Sequence, residues 1–465
     1  MIRLFHRDTS VSDQGEDVIR RSGSDERILI DPGNIAPGWI MSCDRTENLM
    51  DDFPIEPDSV IGLLCVVDVY DRDELFSSVD NERVVELSRL GGRTGFAGVE
   101  NVLRSTGIAL RRLLSEHCSA VDLAQAVCQR LLKVSGLRLQ DFSAIMLCHS
   151  HTDPEACGRL ARALQQRMML PEQFRFGLPE QTCASQDNEL CGDRSIPPMS
   201  AFNFGCSGFM KLLQEGVMHL AADDRASRVL LLNIETPETW HDGADRLFCG
   251  IVSAGATAAV IERGRGLPIH LAQADDFPVP IHLRINPAPL FHHETEDVYC
   301  FRGNAVHRTV MRMNAEPVFL NGIELMLSGL RTAASSIDRE PGQRVVVVPH
   351  QPSGKLLKAL IAAARPEFPG FEFLNNLKLY GNTISASVPT ILARLPEVLA
   401  ANGSKPLRDG DHIILLAAGI CMDKMADHMS AGHACLQWVG AGGGNDVQRA
   451  VRQTVWSDER IAMTE

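Results

Sequence analysis

The heptapeptide VVVVPHQ, residues 345 to 351, decides how the chain is read. Four valines in a row do not alternate between a wet and a dry face. They fit a strand covered on both sides, as in a parallel sheet with helices on each face. Proline and histidine follow at once, so His350 lies just past the carboxyl end of that strand, where α/β sheets present residues to ligands. Working outward, the segment runs into a helix, LYGNTIS (379 to 385) opens another, and HIILLAAG (412 to 419) follows a polar turn. The same order occurs earlier. AIMLCHS (144 to 150) runs into a helix, FNFGCSG (202 to 208) opens a second, and RVLLLNIE (228 to 235) follows a polar turn. Strands alternating with helices in two matching series predict a duplicated α/β fold with largely parallel pairing. His149 and Cys206 are 57 positions apart and His350 and Asn382 are 32, so the first series holds an insertion, assigned to 171–198.

The 465 residues are 45% apolar and 22% charged, enough for a sizeable core. Subtracting 59 acidic from 45 basic residues gives −14, which argues against a general grip on nucleic acid or anionic membrane. The apolar run from Val60 to Val67 is far short of the roughly 20 residues of a membrane span. The charged N-terminus lacks the apolar core of a secretory signal. The expectation is a cytoplasmic protein without nucleic-acid or membrane contact. Its 13 cysteines, an odd number without a C-x-x-C pair, read as reduced thiols. Cys148, His149, His151 and Cys157 lack metal-ligand spacing, so no metal is expected. Residues 1–58 read as an N-terminal extension, 59–270 as the half with the nucleophile, 271–439 as the half with His and Asn, and 440–465 as a tail. GAGGGN (440 to 445) lacks the last glycine of a dinucleotide fingerprint and reads as a linker.

Cys206, in FGCSGF, stands between a strand and an amphipathic helix. Unpaired amides and the helix dipole there are expected to lower the thiol pKa and make the sulfur nucleophilic. Taken alone, Cys206 reads equally as a small buried cysteine, Asn382 as a helix cap and His350 as a structural histidine. The repeat changes that balance, because Asn382 occupies the place of Cys206 in the second series. A pseudo-two-fold would bring Cys206, His350 and Asn382 to one point. Arg104, Arg111, Arg112 and Arg159 read either as a basic mouth for phosphopantetheine donors or as solvated surface arginines.

Cys206 in FGCSGF, His350 in VPHQ and Asn382 in GNTISASVP together resemble the Cys-His-Asn site of the thiolase superfamily, most closely its ketoacyl-acyl carrier protein synthase III branch. Arg104-Ser-Thr-Gly-Ile, Asp245-Arg246 before SAGATAAVI, and Arg302-Gly-Asn fit that branch, and the resemblance spans about residues 59 to 438. It implies a five-layered αβαβα fold of two duplicated halves. It further implies catalytic Cys206, His350 and Asn382, an oxyanion hole from Cys206 and Gly419, and substrate contacts at Arg104 and Arg302. No bound cofactor is implied; acyl-coenzyme A or acyl carrier protein brings the acyl group as a phosphopantetheine thioester. The implied assembly is a homodimer, with a heterodimer of related chains as the alternative. The chain departs from the family's glycine run with Ala417-Ala418-Gly419-Ile420-Cys421, and from its G-D-G-A-G with Ser253-Ala-Gly-Ala-Thr. The implied reaction is a decarboxylative condensation of acyl-Cys206 with a malonyl-type thioester, in a specialised pathway. Transfer of the acyl group to an amine or hydroxyl, and a non-catalytic partner subunit, are the alternatives.

Overall fold

The computed structural model describes residues 9–11, 17–19, 60–169, 196–279, 289–424 and 426–439. Expectations for the 1–58 extension, the 171–198 insertion and the 440–465 tail thus fall almost wholly outside the described residues. Met1–Pro54 is a unit of its own, in which strands β1 (Thr9–Val11) and β2 (Asp17–Ile19) pair antiparallel. The second unit, Ile55–Glu465, carries all the remaining elements and is built of two halves.

Its first half holds β3 (Ile61–Asp68), β4 (Phe76–Val79), α1 (Asn81–Leu87), α2 (Val99–Thr106), β5 (Arg111–Leu114), α3 (Ala120–Ser135), β6 (Ala144–Cys148), α4 (Ala156–Met169), β7 (Met199–Phe202), α5 (Gly208–Ala222), β8 (Arg228–Glu235), α6 (Arg246–Cys249) and β9 (Gly255–Arg263). The second half holds β10 (Leu267–Pro278), β11 (Phe291–Tyr299), β12 (Ala305–Met313), α7 (Ala315–Ser335), β13 (Val345–Pro349), α8 (Gly354–Ala364), β14 (Glu372–Phe373), α9 (Leu377–Tyr380), α10 (Ser387–Ala393), α11 (Leu395–Ala401), β15 (His412–Ile420) and β16 (His428–Gln437). Helix boundaries follow local chemistry. Ser119 and Asp122 cap each other's backbone amides at the start of α3, and Gly136, at φ 70, ends it in the left-handed conformation.

Ten strands form one sheet in the order β14-β13-β15-β16-β10-β3-β9-β8-β6-β7. Read outward from the β10–β3 junction, both sides run through their own first, fifth, fourth, second and third strands. The chain order and the strand order are therefore duplicated together. Pairing is less parallel than the sequence suggests. β6 with β7 and β8, and β13 with β14 and β15, are parallel. β9 and β16 instead return antiparallel to β8 and β15, and β3 and β10 pair antiparallel with them and with each other. Few residues separate the end of β15 at Ile420 from the start of β16 at His428, a spacing that only antiparallel neighbours allow.

The layers follow from side-chain alternation. Val345 and Val347 face Leu327, Leu330 and Leu360 of α7 and α8, whereas Val346 and Val348 face a core shared with α5, α10 and α11. In the first half, Ile145 and Leu147 meet α3 and α4, while Ala144 and Met146 join that same shared core. The stack is α3/α4, first half-sheet, α5/α10/α11, second half-sheet, α7/α8: five layers, αβαβα. The helical segments Ile384–Ala393 and Leu395–Ala401, bent by 88° at Arg394, are apolar because they fill the middle layer. No single described helix is long and apolar enough to cross a membrane. Leu213, fully buried in that layer, illustrates the packing: its truncation to Ala is worth about 2–5 kcal/mol.

Candidate active site

β7 ends at Phe202, and one 3-10 turn, Gly205–Ser207, intervenes before α5. Gly205 has φ 65, and any Cβ there would strike the Ile420 carbonyl, so glycine is required twice over. At Gly208 a Cβ would meet the Cys148 sulfur and Ser385, which lets α5 start hard against β6 and the second half. Cys206 thus sits over β15: a Cβ built on Gly419 would lie 2.6 Å from its sulfur. Of the glycine run expected at 417–421, the one retained is where the thiol needs room. Ile384, Ile420 and Met422 belong to the apolar cluster against which Cys206 packs.

Asn382 is held from the first half. Its amide donates to the Ile251 carbonyl at 2.8 Å, and its carbonyl accepts from the Ser253 amide at 2.8 Å. Asn382 Oδ1 accepts from the Ile384 amide at 2.9 Å, which leaves Nδ2 as the side-chain donor for a ligand. Ile384 has φ 51, a left-handed conformation costly for a β-branched residue, two positions from Asn382. The turn it belongs to, Ile384–Ala386, packs on the Cys206 turn. His350 is fully buried at the end of β13, its amide donating to Leu416 at 2.6 Å. Its Nδ1 lies 2.6 Å from Ser387 Oγ, and its Nε2 is buried without a protein partner. Cys206, Asn382 and, through Ser387, His350 are therefore gathered around one turn, Ile384–Ser387.

The electrostatics correct one expectation. The Cys206 thiol is not lowered; burial, and after it the charge of Glu235, push it up to about 12. Cys206 is half-buried as a residue yet its thiol lies deep in the fold, so loss of hydration outweighs the backbone amides at the turn. Burial also pushes His350 down to about 3, so its imidazole is neutral near pH 7. Glu235, at the end of β8, went unassigned in the sequence. Burial raises it to about 8 against hydrogen bonds from Ser385 Oγ, Ser150 Oγ (2.9 Å) and the Ser150 amide (3.2 Å). A carboxylate closing the apolar run RVLLLNIE was the available signal; Ser385 and Ser387 gave none.

The arginines have other partners. Arg104 is exposed in the last turn of α2, and Arg302 is exposed and pairs with Glu116 at 2.9 Å, so both stay outside the buried group around Cys206. Arg112 stacks 5.1 Å from the Tyr70 ring and 5.2 Å from that of Tyr380. Arg111 is buried on the Gly250 carbonyl, and Arg159 pairs with Asp153 at 2.6 Å. Among the described residues no group of three or more His, Cys, Asp or Glu is placed to hold a metal.

A duplicated αβαβα stack of this kind is the thiolase fold. Residues 339–424 match the family described as 3-Oxoacyl-[acyl-carrier-protein (ACP)] synthase III C terminal. The beta-ketoacyl-acyl carrier protein synthase III of Bartonella bacilliformis is 25% identical over 324 residues, 68% of this chain and 86% of that protein. The solved structure of the corresponding synthase from Thermus thermophilus superposes with a TM-score of 0.56 at 21% identity, covering 82% of this chain and 100% of that one. A priming beta-ketosynthase from a polyketide biosynthetic pathway gives 0.56 at 18% identity, covering 83% and 98%. The chain thus has the thiolase fold and is similar, over most of its length, to ketoacyl-acyl carrier protein synthase III proteins.

Proposed function

We propose that the chain is a 3-oxoacyl synthase that takes an acyl group onto Cys206 and condenses it with a malonyl-type thioester. The observation that carries this reading is the gathering of Cys206, Asn382 and His350 around Ile384–Ser387, with the sulfur over the Gly419 backbone. Because the thiol is protonated at neutral pH and the imidazole is neutral, attack on an acyl thioester requires proton transfer from sulfur to His350 Nε2 as the C–S bond forms. Amides of Cys206 and Gly419 hold the tetrahedral oxyanion. The leaving thiolate takes the proton, giving acyl-Cys206 and a free thiol. The malonyl-type thioester then loses CO2; the electron pair left behind forms an enolate, held by Asn382 Nδ2 and His350 Nε2, whose carbon attacks the acyl carbonyl and breaks its bond to Cys206, which leaves as the thiolate and takes up one proton from water.

Coenzyme A or acyl carrier protein supplies the thioester, with Arg104 and Arg302 at the approach, and the functional form is a homodimer in the cytoplasm. Similarity to a priming ketosynthase of a polyketide pathway supports a specialised biosynthetic role. Acyl transfer to an amine or hydroxyl is the second reading. It would use His350 as base without needing Asn382 Nδ2, which the Ile384 amide leaves available.

Intact-mass spectrometry after incubation with acyl-coenzyme A esters tests the proposal. One acyl mass per chain is expected, lost in Cys206→Ala. Asn382→Ala is expected to keep acylation and to slow CO2 release from malonyl-coenzyme A about 100- to 1000-fold, as loss of one oxyanion donor does. Acylation that persists in Cys206→Ala would overturn the nucleophile; full product formation by Asn382→Ala would overturn condensation in favour of transfer.

A further inference from the structure

We infer that Ser387 is a positioning residue that selects which ring nitrogen of His350 carries the proton, making His350 a base toward Cys206 in one state and a hydrogen-bond donor to the enolate in the other. The assignment of the two chemical steps rests on the function proposed above; the assignment of the tautomer does not.

A serine hydroxyl has one hydrogen. Ser387 Oγ donates it to the Ile384 carbonyl at 2.9 Å, so toward His350 Nδ1, 2.6 Å away, the oxygen is an acceptor. Nδ1 therefore holds the proton and Nε2 a bare lone pair. That lone pair is buried without a protein partner on a residue with no exposed surface. Ser387 itself is 2% exposed, so bulk water does not compete for either bond. A neutral imidazole whose Nε2 lone pair is unused is set to accept the thiol proton.

Stabilising an enolate needs the opposite form, with hydrogen on Nε2. The same hydroxyl provides for it. Rotated about its Cβ–Oγ bond, it leaves the Ile384 carbonyl and donates to Nδ1, which then carries the lone pair. In the exchange Nε2 takes up one proton from water entering the space the thiol product has left, and Nδ1 gives one up to that water while its bond to Ser387 is open, so neither the net charge nor the oxidation state changes. The Ile384 carbonyl that gives up its partner belongs to the residue already held at φ 51.

The full-length protein with 15N-labelled histidine reports the tautomer directly by NMR, the His350 signals being identified by their loss in His350→Gln. In the free wild type, Nδ1 is expected to be protonated and Nε2 not. Ser387→Ala should lose that fixed form and slow iodoacetamide alkylation of Cys206 and its acylation on the order of 100-fold, the lower end of general-base catalysis. Ser387→Thr, which keeps the hydroxyl, should restore both. Wild-type His350 protonated on Nε2, or Ser387→Ala with wild-type tautomer and rates, would overturn the inference. So would Ser387→Thr behaving like Ser387→Ala while its thermal midpoint matches the wild type. If wild type accepts no acyl group yet tautomer and alkylation respond as stated, the proposed acylation of Cys206 falls and the tautomer assignment stands.

Discussion

At the residue scale, the space around the Cys206 sulfur is set by one missing methyl group. A Cβ on Gly419 would approach the sulfur to 2.6 Å and the Cys206 Cβ to 2.7 Å. Both residues are anchored, Gly419 in the last pairs of the β15–β16 ladder and Cys206 in a turn that Gly205 wedges against Ile420. Neither retreats without strain. Gly419→Ala is expected to lower stability by about 1–3 kcal/mol, as overpacking does, and to slow alkylation of Cys206 more than that loss of fold explains. Denaturant unfolding beside iodoacetamide kinetics checks both, and a variant with wild-type alkylation would show that the sulfur does not rest on Gly419. Cys206, His350 and Asn382 could be singled out in the sequence as candidates because each stands where an apolar run or a glycine ends. The state of the thiol was not: it depends on Ile384, Ile420 and Met422, brought to it from far along the chain.

At the scale of elements, Glu235 fastens the end of β8 to the end of β6 through Ser150 and to the Asn382 segment through Ser385. Its carboxyl ionises near 4.5 in a solvated chain and only near about 8 when folded, burial being the cause. The sign follows from that raised value. The neutral acid is the form the fold favours, so its contribution is full below the unfolded pKa and is lost as pH rises through about 8. The wild type is therefore expected to lose thermal stability between about pH 5 and 9 more steeply than Glu235→Gln, by an amount on the order of a few kcal/mol. Glu238, raised to about 7 by burial, tilts both proteins alike, so the difference between the two curves isolates Glu235. Parallel curves would mean that the carboxyl ionises normally. Strands and their flanking helices were readable here from four valines at 345–348 or from RVLLLNIE. Pairing direction was not, since β9 and β16 are buried along most of their length just as the parallel strands are, and only β16 follows a short turn, α6 lying between β8 and β9.

At the scale of the molecule, two copies of one topology have to act as one body, because the proposed nucleophile belongs to the first half and its two partners to the second. The repeat was legible from the order of its motifs; the contacts that join the halves were not, since they pair residues hundreds of positions apart. Besides the shared core, Arg394, at the bend between α10 and α11, reaches Asp68 at the end of β3 with two hydrogen bonds of 2.6 and 2.8 Å. The Asp68 side chain is 1% exposed and that of Arg394 12%. Its guanidinium also lies 5.4 Å from the Tyr380 ring, so the pair stands beside the segment that leads into Asn382. A carboxylate removed from such a place leaves a poorly hydrated cation with only Glu397, 3.5 Å away and 41% exposed, as its counter-charge. Asp68→Ala is accordingly expected to cost about 3–5 kcal/mol. Arg331 and Glu367 provide the comparison, with bonds of 2.6 and 2.8 Å but side chains 44% and 42% exposed. Glu367→Ala should cost about 0–1 kcal/mol, since water replaces what the partner supplied. Denaturant unfolding of both variants under one set of conditions makes the comparison, with geometry nearly equal and burial the variable. Equal losses would mean that Asp68 and Arg394 do not hold the halves together and that the shared core alone does.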